Sequence, residues 1–148
     1  MTTTAPERSL AQVVAALPET EREAILAEMD ADTLAFDPHF WLRPTQLRPI
    51  VETDWTLAEM VAGRGAGKTR SMCEWARHKA QGQPTRGALV ARTAADVRDV
   101  LVAGESGILA VSPPSERPEY EPSKRLLTWP NGSTALCFSS EAPDQLRG

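Results

Sequence analysis

A glycine-rich segment that ends in a lysine and a threonine carries the clearest chemistry in this sequence. Residues 62–69 read Ala-Gly-Arg-Gly-Ala-Gly-Lys-Thr, which fits the phosphate-binding pattern G-x-x-x-x-G-K-[ST] except that Ala62 replaces the first glycine. Glycines let consecutive backbone N–H groups turn inward and form a concave anion site, because no Cβ atom interferes. Lys68 would reach the β- and γ-phosphates of a bound nucleotide, and the Thr69 hydroxyl would be a ligand of Mg²⁺.

Such a loop needs a strand before it and a helix after it. Residues 54–61 are the predicted strand, although Glu59 interrupts an otherwise apolar run. After the loop, apolar residues recur at helical spacing, at Met72, Trp75, Ala76 and Ala80. Gly82 with Pro84 predicts the end of that helix. The alternative is a glycine-rich surface turn that happens to precede a helix, and the order strand, loop, helix favours the phosphate site.

A second strand and helix follow. Residues 87–91 are wholly apolar, as in a buried parallel strand. Residues 93–96 resemble a capping box, and the helix they open has an apolar stripe and ends at Gly104. The stripe consists of Val97, Val100 and Leu101. This order of strands and crossover helices predicts an α/β fold with a parallel sheet flanked by helices.

The last third of the sequence predicts a loop followed by a β-hairpin. Residues 111–123 contain four prolines and are the predicted loop. Residues 124–129 and 134–139 flank Pro-Asn-Gly-Ser, and Asn-Gly between two alternating runs favours a type I′ turn. We expect Leu127 and Trp129 to share the apolar face of the first arm, and Leu136 and Phe138 that of the second.

Two basic residues, Lys124 and Arg125, lie at the outer end of this hairpin. A solvated hairpin end and a phosphate clamp are the two interpretations of the pair, and we favour the solvated end.

The N-terminal part differs in character. Residues 1–35 are predicted to form a helical segment, with one or two short helices, and the rest of the chain, residues 36–148, a separate domain. Residues 36–49 contain three aromatic residues and three prolines, which predicts an irregular stretch. Gln46 lies within it. Its amide could pair with the N6/N7 edge of adenine, or it could be an exposed loop glutamine, and both interpretations stay open.

Composition excludes several classes of protein. The 148 residues are 41% hydrophobic and 24% charged, which is ordinary for a soluble globular domain. No apolar run reaches eighteen residues, so no membrane span is expected. A formal charge of −4 is a poor match to a stand-alone nucleic-acid binder, which leaves DNA binding by this chain alone doubtful. Cys73 and Cys137 are expected to be reduced core thiols of a cytoplasmic protein.

Several blocks of the sequence, taken in order, resemble one family. They are residues 43–47, 63–70, 74–76, 94–100, 104–107, 120–125, 127–132 and 146–148. In these blocks the chain is similar to the N-terminal part of the large terminase subunit of tailed bacteriophages, an ATP-driven DNA-packaging motor and nuclease. Several blocks in the correct order are far more specific than one loop motif.

The resemblance implies that residues 36–148 are a partial, RecA-like P-loop ATPase domain with ATP and Mg²⁺ as cofactors. Lys68 and Arg64 would be catalytic, with Arg64 stabilising transition-state charge, or Arg64 would only brace the loop. Thr69 would hold the metal. The implied nucleotide-binding residues are Gln46, Gly63, Gly65, Ala66, Gly67, Lys68, Thr69 and Arg70. Implied partners in the complete protein are double-stranded DNA, the portal protein, the small terminase subunit and a ring of its own copies, in the bacterial host cytoplasm.

The chain also departs from that family. In the family, an acidic Walker B strand, a coupling motif and a nuclease domain follow the Leu-Arg-Gly block at residues 146–148. We therefore expect an incomplete domain, a partial or truncated sequence without nuclease activity and with little ATP turnover. Two alternatives stay open. One is a non-catalytic nucleotide-binding or vestigial prophage fragment. The other is a small P-loop kinase, for which the arginine-rich lid is not apparent.

Overall fold

The computed structural model describes residues 7–52 and 54–142. These residues fall into two compact units, one ending at Gly63 and the other beginning at Arg64. Among its described residues the first unit contains helices and no strand, whereas the second combines helices with a mixed sheet. The α/β class predicted from the sequence is therefore confirmed. The division into residues 1–35 and 36–148 stays a prediction.

The first unit consists of short helices. Several of them have a side-chain cap at the N-terminus or a proline at the first helical position. Its helices are α1 (Leu10–Ala15), α2 (Glu19–Glu28), α3 (Ala31–Phe36), α4 (Pro38–Trp41) and α5 (Pro44–Val51). Ser9 and Gln12 form a reciprocal capping box at the start of α1, with N–H···O distances of 3.2 and 3.0 Å. Asp30 caps α3 by accepting from the backbone N–H of Thr33 at 2.8 Å.

The prediction of an irregular stretch at residues 36–49 is wrong, because two helices occupy most of it. α4 and α5 each begin with a proline, whose fixed φ suits the first helical position. The Asp37 side chain also accepts from the backbone N–H of His39 at 2.8 Å. Two of the three prolines that indicated a loop, Pro38 and Pro44, are therefore helix-starting residues, and Pro49 lies within α5.

The second unit contains helices and the strands of the sheet. Its elements are α6 (Lys68–Gln81), β1 (Arg86–Ala91), α7 (Ala94–Asp96), a π-helix (Val97–Val102), α8 (Ile108–Val111), β2 (Glu119–Glu121), β3 (Leu126–Thr128) and β4 (Thr134–Ser139). β2 lies in the segment predicted to be a loop, so that prediction is wrong for residues 119–121. α6 ends where Gly82 and Pro84 predict.

The sheet is mixed rather than parallel. Within the described residues its strand order is β1-β4-β3-β2, with β1 and β4 parallel and the other pairs antiparallel. β1 is an edge strand in this order, and Val90 is 45% exposed. The prediction of a buried strand at residues 87–91 is therefore correct in its parallel pairing and wrong in its burial.

The strand predicted at residues 54–61 is absent from the described residues of that segment. They adopt bends and irregular backbone, and Leu57 and Val61 are 83% and 86% exposed. Glu59 interrupts the apolar run that a buried strand requires.

The helix predicted after Thr93 begins as expected and then changes type. The side-chain oxygens of Thr93 and Asp96 accept from each other's backbone N–H groups at 3.0 and 3.1 Å. From Val97 the chain forms a π-helix, so the buried pair is Val97 and Val102, five residues apart. Val100, predicted to face the core, is 44% exposed because the wider turn displaces it.

The hairpin is confirmed, but its turn and the buried face of its second arm differ from the prediction. Leu127 and Trp129 are buried as expected, at 0% and 4% exposure. On β4 the buried residues are Ala135 and Cys137, whereas Leu136 is 44% exposed. Alternation places Ala135 opposite Leu127, so the small residues, not the large ones, face the core.

The core of the second unit lies between α6, the π-helix, α8 and the inner face of the sheet. Its buried residues are Cys73, Ala80, Val97, Val102, Ile108, Val111, Leu127, Trp129, Ala135 and Cys137. Met72, predicted to face this core, is 55% exposed. In residues 7–52 and 54–142 no helix has the length and apolarity that crossing a bilayer requires.

Candidate functional site

The glycine-rich loop leads directly into the longest helix of the second unit. Gly65 and Gly67 adopt positive φ angles of 77° and 79°, and Gly67 is the N-terminal cap of α6. A Cβ atom at Gly65 would meet nothing within 4 Å, so its backbone conformation, not lack of space, requires glycine. The division between the two units falls within this loop, after Gly63.

Lys68 and Thr69 are the first two residues of α6, and both are half-buried. The first backbone N–H groups of a helix have no partner within the helix, and its aligned peptide dipoles favour negative charge there. The structure therefore places a lysine, a hydroxyl and helix-terminal amides in one short segment. That arrangement is chemically suited to phosphate oxygens.

Arg70 interacts with a buried carboxylate. Its Nε and Nη2 atoms each lie 2.8 Å from Oε1 of Glu74, whose side chain is wholly buried. Arg77 Nε lies 3.3 Å from the other carboxylate oxygen of Glu74. Sequence reasoning missed Glu74, because an acidic residue in an amphipathic helix ordinarily faces water. The sequence does contain one signal of this buried pair, namely a single acidic residue on the same helical face as two arginines.

Arg64 lies in the exposed turn that precedes Gly65. No contact of its guanidinium group distinguishes between stabilising a transferred phosphoryl group and bracing the loop. Both predicted roles of Arg64 therefore remain open.

Gln46 belongs to the first unit and is only 7% exposed, so the alternative of an exposed loop glutamine is wrong. Its Oε1 atom accepts from the backbone N–H of Arg43 at 3.0 Å and from Arg43 Nε at 3.2 Å. Gln46 thus caps the start of α5. Its predicted contact with adenine stays a prediction.

The two cysteines are buried free thiols, as predicted. Burial raises the pKa of Cys73 to about 12, with the neighbouring Glu74 carboxylate adding to the effect and Arg70 opposing it. Burial raises the pKa of Cys137 to about 11. Within the described ranges no group of three His, Cys, Asp or Glu residues could hold a metal ion.

The second unit is an α/β structure in which a glycine-rich loop with two left-handed glycines opens a 14-residue helix. The chain belongs to the family described as terminase large subunit, T4likevirus-type, N-terminal, whose family model matches residues 60–148. The match covers more than half of the chain and begins just before the loop. It confirms the resemblance to the large subunit of phage DNA-packaging terminases. No curated protein and no solved structure shows significant similarity to the chain.

Proposed function

We propose that residues 62–69 bind the phosphates of ATP, and that the chain is the nucleotide-binding part of a phage DNA-packaging motor. In the complete protein, ATP hydrolysis would drive translocation of double-stranded DNA into the capsid. The observation that carries the proposal is the pair of left-handed glycines, Gly65 and Gly67, leading into Lys68 within the terminase match.

Each residue of the loop has a distinct task in this proposal. Gly65 and Gly67 turn the backbone amides toward the phosphates, and Lys68 supplies a mobile positive charge to the β- and γ-phosphates. The Thr69 hydroxyl would hold Mg²⁺, which neutralises charge that develops on the phosphates. The guanidinium group of Arg64 suits the equatorial oxygens of a transferred phosphoryl group, because its planar donors bind two oxygens at once.

The proposed assembly follows from the family rather than from a contact in this chain. It comprises a RecA-like motor domain, a ring of its own copies, a portal protein and a small terminase subunit, acting in the cytoplasm of the bacterial host. Gln46 would contact adenine by its amide once the nucleotide is bound.

Nucleotide binding by purified protein tests the proposal. We expect Mg²⁺-dependent ATP binding, weakened at least about tenfold in Lys68→Ala, because a charge-assisted hydrogen bond of roughly 1.5–3 kcal/mol is lost. Lys79→Ala is the matched control, since Lys79 lies in the last turn of the same helix. Circular dichroism verifies that each variant is folded.

The outcomes separate an ATPase from a non-catalytic nucleotide-binding chain. Binding with measurable hydrolysis supports an ATPase, and binding without hydrolysis supports a non-catalytic nucleotide-binding chain. Equal ATP affinity in Lys68→Ala and the wild type would overturn the assignment of the loop.

A further inference from the structure

A second cluster of phosphate-compatible groups surrounds a small cavity in the second unit. The cavity has a volume of about 160 Å³. It is lined by residues of α7, the π-helix, the β2–β3 region and β4: Ala94, Val97, Arg98, Tyr120, Pro122, Arg125, Cys137, Phe138 and Ser139. None of these residues belongs to the glycine-rich loop.

The cavity lies where the two parallel strands end. Ser139 is the last residue of β4 and pairs with Ala91, the last residue of β1. In open α/β sheets, ligands bind at the carboxyl ends of the parallel strands, where the connections diverge. The next strand of the sheet, β3, runs antiparallel to β4, so the change of strand direction falls at this cavity.

The side chains that line the cavity favour the binding of an oxyanion. Arg98 and Arg125 provide guanidinium groups, whose planar donors match the oxygens of a phosphate. Tyr120 provides a phenolic O–H donor. Buried Val97 and Cys137 form an apolar floor that reduces competition from water. At 160 Å³ the cavity is smaller than the usual drug-sized pocket, which favours a compact group.

Tyr120 experiences the charges of both arginines. Burial raises the pKa of its hydroxyl, Cys137 raises it further, Arg98 and Arg125 lower it, and the Asp99 carboxylate raises it slightly. The two guanidinium groups therefore act on a common point in this cavity.

Among the described residues, Asp99 is the acidic group bound to Arg98. Its carboxylate accepts from Nε and Nη2 of Arg98, at 2.6 and 2.9 Å. Both side chains are more than half exposed, so solvent weakens this pair. The Nη1 atom of Arg98 takes no part in these two bonds, and a phosphate that lies in the cavity can accept from it.

Arg125 occupies a backbone conformation that does not favour arginine. Its φ angle is 52°, and it is the one non-glycine residue with a positive φ angle in the described part of the chain. Glycine adopts this conformation without steric cost. A long cationic residue at such a position indicates a requirement on the side chain, since outliers of this kind concentrate at functional sites. Its neighbour Lys124 pairs with Glu121 at 3.0 Å.

We propose that the cavity walled by Arg98, Tyr120 and Arg125 is a second phosphate-binding site, separate from residues 62–69. The ligand is a phosphate group, supplied either by the DNA backbone or by a nucleotide. Arg125 is exposed, which agrees with the solvated hairpin end favoured from the sequence, and the proposal adds a phosphate contact at that exposed end.

The chain contains one tyrosine, so Tyr120 is a unique reporter of this site. Protein labelled with ¹³C at tyrosine Cζ is titrated with inorganic phosphate at constant ionic strength, with NaCl as the balancing salt. The titration uses the Lys68→Ala variant, which removes the lysine of the glycine-rich loop. We expect a saturable shift of the single resonance.

Variants of the cavity then test its residues. We expect Arg125→Gly to weaken phosphate binding at least about tenfold, because a charge-assisted contact is lost while the backbone conformation is favoured. Arg98→Gln is expected to have the same effect, and Asp99→Asn to strengthen binding by freeing the Arg98 guanidinium. Arg86→Gln is the control, since Arg86 begins β1 at the opposite end of the strand.

Two further titrations identify the source of the phosphate. Displacement of inorganic phosphate by a short DNA duplex supports the DNA backbone, and displacement by ATP supports a nucleotide. The absence of any saturable shift in folded protein overturns the proposal. Equal affinity in Arg125→Gly and Arg86→Gln overturns it as well. The Tyr120 titration does not depend on ATP binding at Lys68. A negative result for one phosphate site therefore does not count against the other.

Discussion

The buried carboxylate of Glu74 lies 3.3 Å from the Nε atom of Arg77, one turn further along α6. Arg77 Nη1 in turn donates to the backbone carbonyl of Val111 at 3.0 Å, at the end of α8. The same carboxylate accepts from Arg70, three positions after Gly67. One buried acid thus connects the helix that follows the glycine-rich loop to the opposite side of the core.

Removal of this acid is expected to destabilise the second unit. Glu74→Ala leaves two arginines beside an uncharged cavity, and losing one partner of a buried ion pair typically costs about 3–5 kcal/mol. Chemical denaturation monitored by tryptophan fluorescence measures the free energy of unfolding. Glu141→Ala is the control, because its pair with Arg92 is exposed on both sides and is worth roughly 0–1 kcal/mol. A loss of under about 1 kcal/mol in Glu74→Ala would contradict this account.

Gly107 is expected to tolerate no larger residue. A Cβ atom added there would lie 2.6 Å from the backbone oxygen of Val102, which cannot move without disturbing the π-helix. Gly107→Ala should therefore lower the free energy of unfolding by about 1–3 kcal/mol, the usual cost of overpacking. Gly63→Ala provides the comparison, since a Cβ atom there meets nothing within 4 Å. If both variants unfold at the same denaturant concentration, the steric argument fails.

Asn131 joins the hairpin turn to the end of α6. Its Nδ2 atom donates to the carbonyl oxygens of Ala80 and Gly82, at 2.6 and 3.2 Å, and its Oδ1 accepts from the N–H of Ser133 at 3.0 Å. These bonds also explain why the turn is not type I′: within it only Gly132 has a positive φ angle, of 87°. The Asn131 side chain is held by α6 instead.

The substitution Asn131→Asp distinguishes the hydrogen bonds that the Asn131 side chain donates from the one that it accepts. The aspartate keeps the acceptor for Ser133 but loses both donors and places negative charge at a helix C-terminus, where it is unfavourable. We expect a loss of about 1–3 kcal/mol, measured by denaturation. Asn131→Ala, which removes every bond without adding charge, is the comparison. Higher stability in Asn131→Asp than in the wild type would contradict the assigned bonds.

The buried thiols predict a loss of stability in alkali. A thiol with a raised folded-state pKa stays protonated while the unfolded chain releases its proton, so the folded state binds more protons. The contribution of Cys73 and Cys137 is therefore complete below the unfolded pKa of roughly 8.5 and falls as the pH rises toward their folded values. Those values are about 12 for Cys73 and about 11 for Cys137.

The expected slope is up to about 1.4 kcal/mol per pH unit for each thiol. Denaturation between pH 8 and pH 10.5 measures it, and the double variant Cys73→Ala, Cys137→Ala provides the reference, which retains every other titrating group. Identical slopes in the two proteins would show that the thiols do not contribute.

Local signals in the sequence predicted the boundaries of elements well. Thr93 and Asp96 form the expected capping box, and Gly82 ends α6. The hairpin around Gly132 also forms as predicted. Each of these depends on contacts between residues a few positions apart, which the sequence displays directly.

Burial was predicted less well, because it depends on distant partners. Val90 is apolar yet half exposed, since β1 is at the edge of the sheet. Glu74 is charged yet buried, since Arg70 and Arg77 surround its carboxylate. The unusual backbone of Arg125 has no signature in composition or periodicity. The glycine-rich loop could therefore be predicted from the sequence, whereas the cavity lined by Arg98, Tyr120 and Arg125 could not.

The π-helix bears on the evolution of the gene. A π-turn holds one residue more than an α-turn, so a single-codon deletion between Val97 and Val102 would leave these two valines four residues apart, which is α-helical spacing. Both side chains would still face the same side, and the Thr93 cap would be unaffected. Homologous chains are thus expected to vary in length by one residue at this point while keeping an apolar residue at each end.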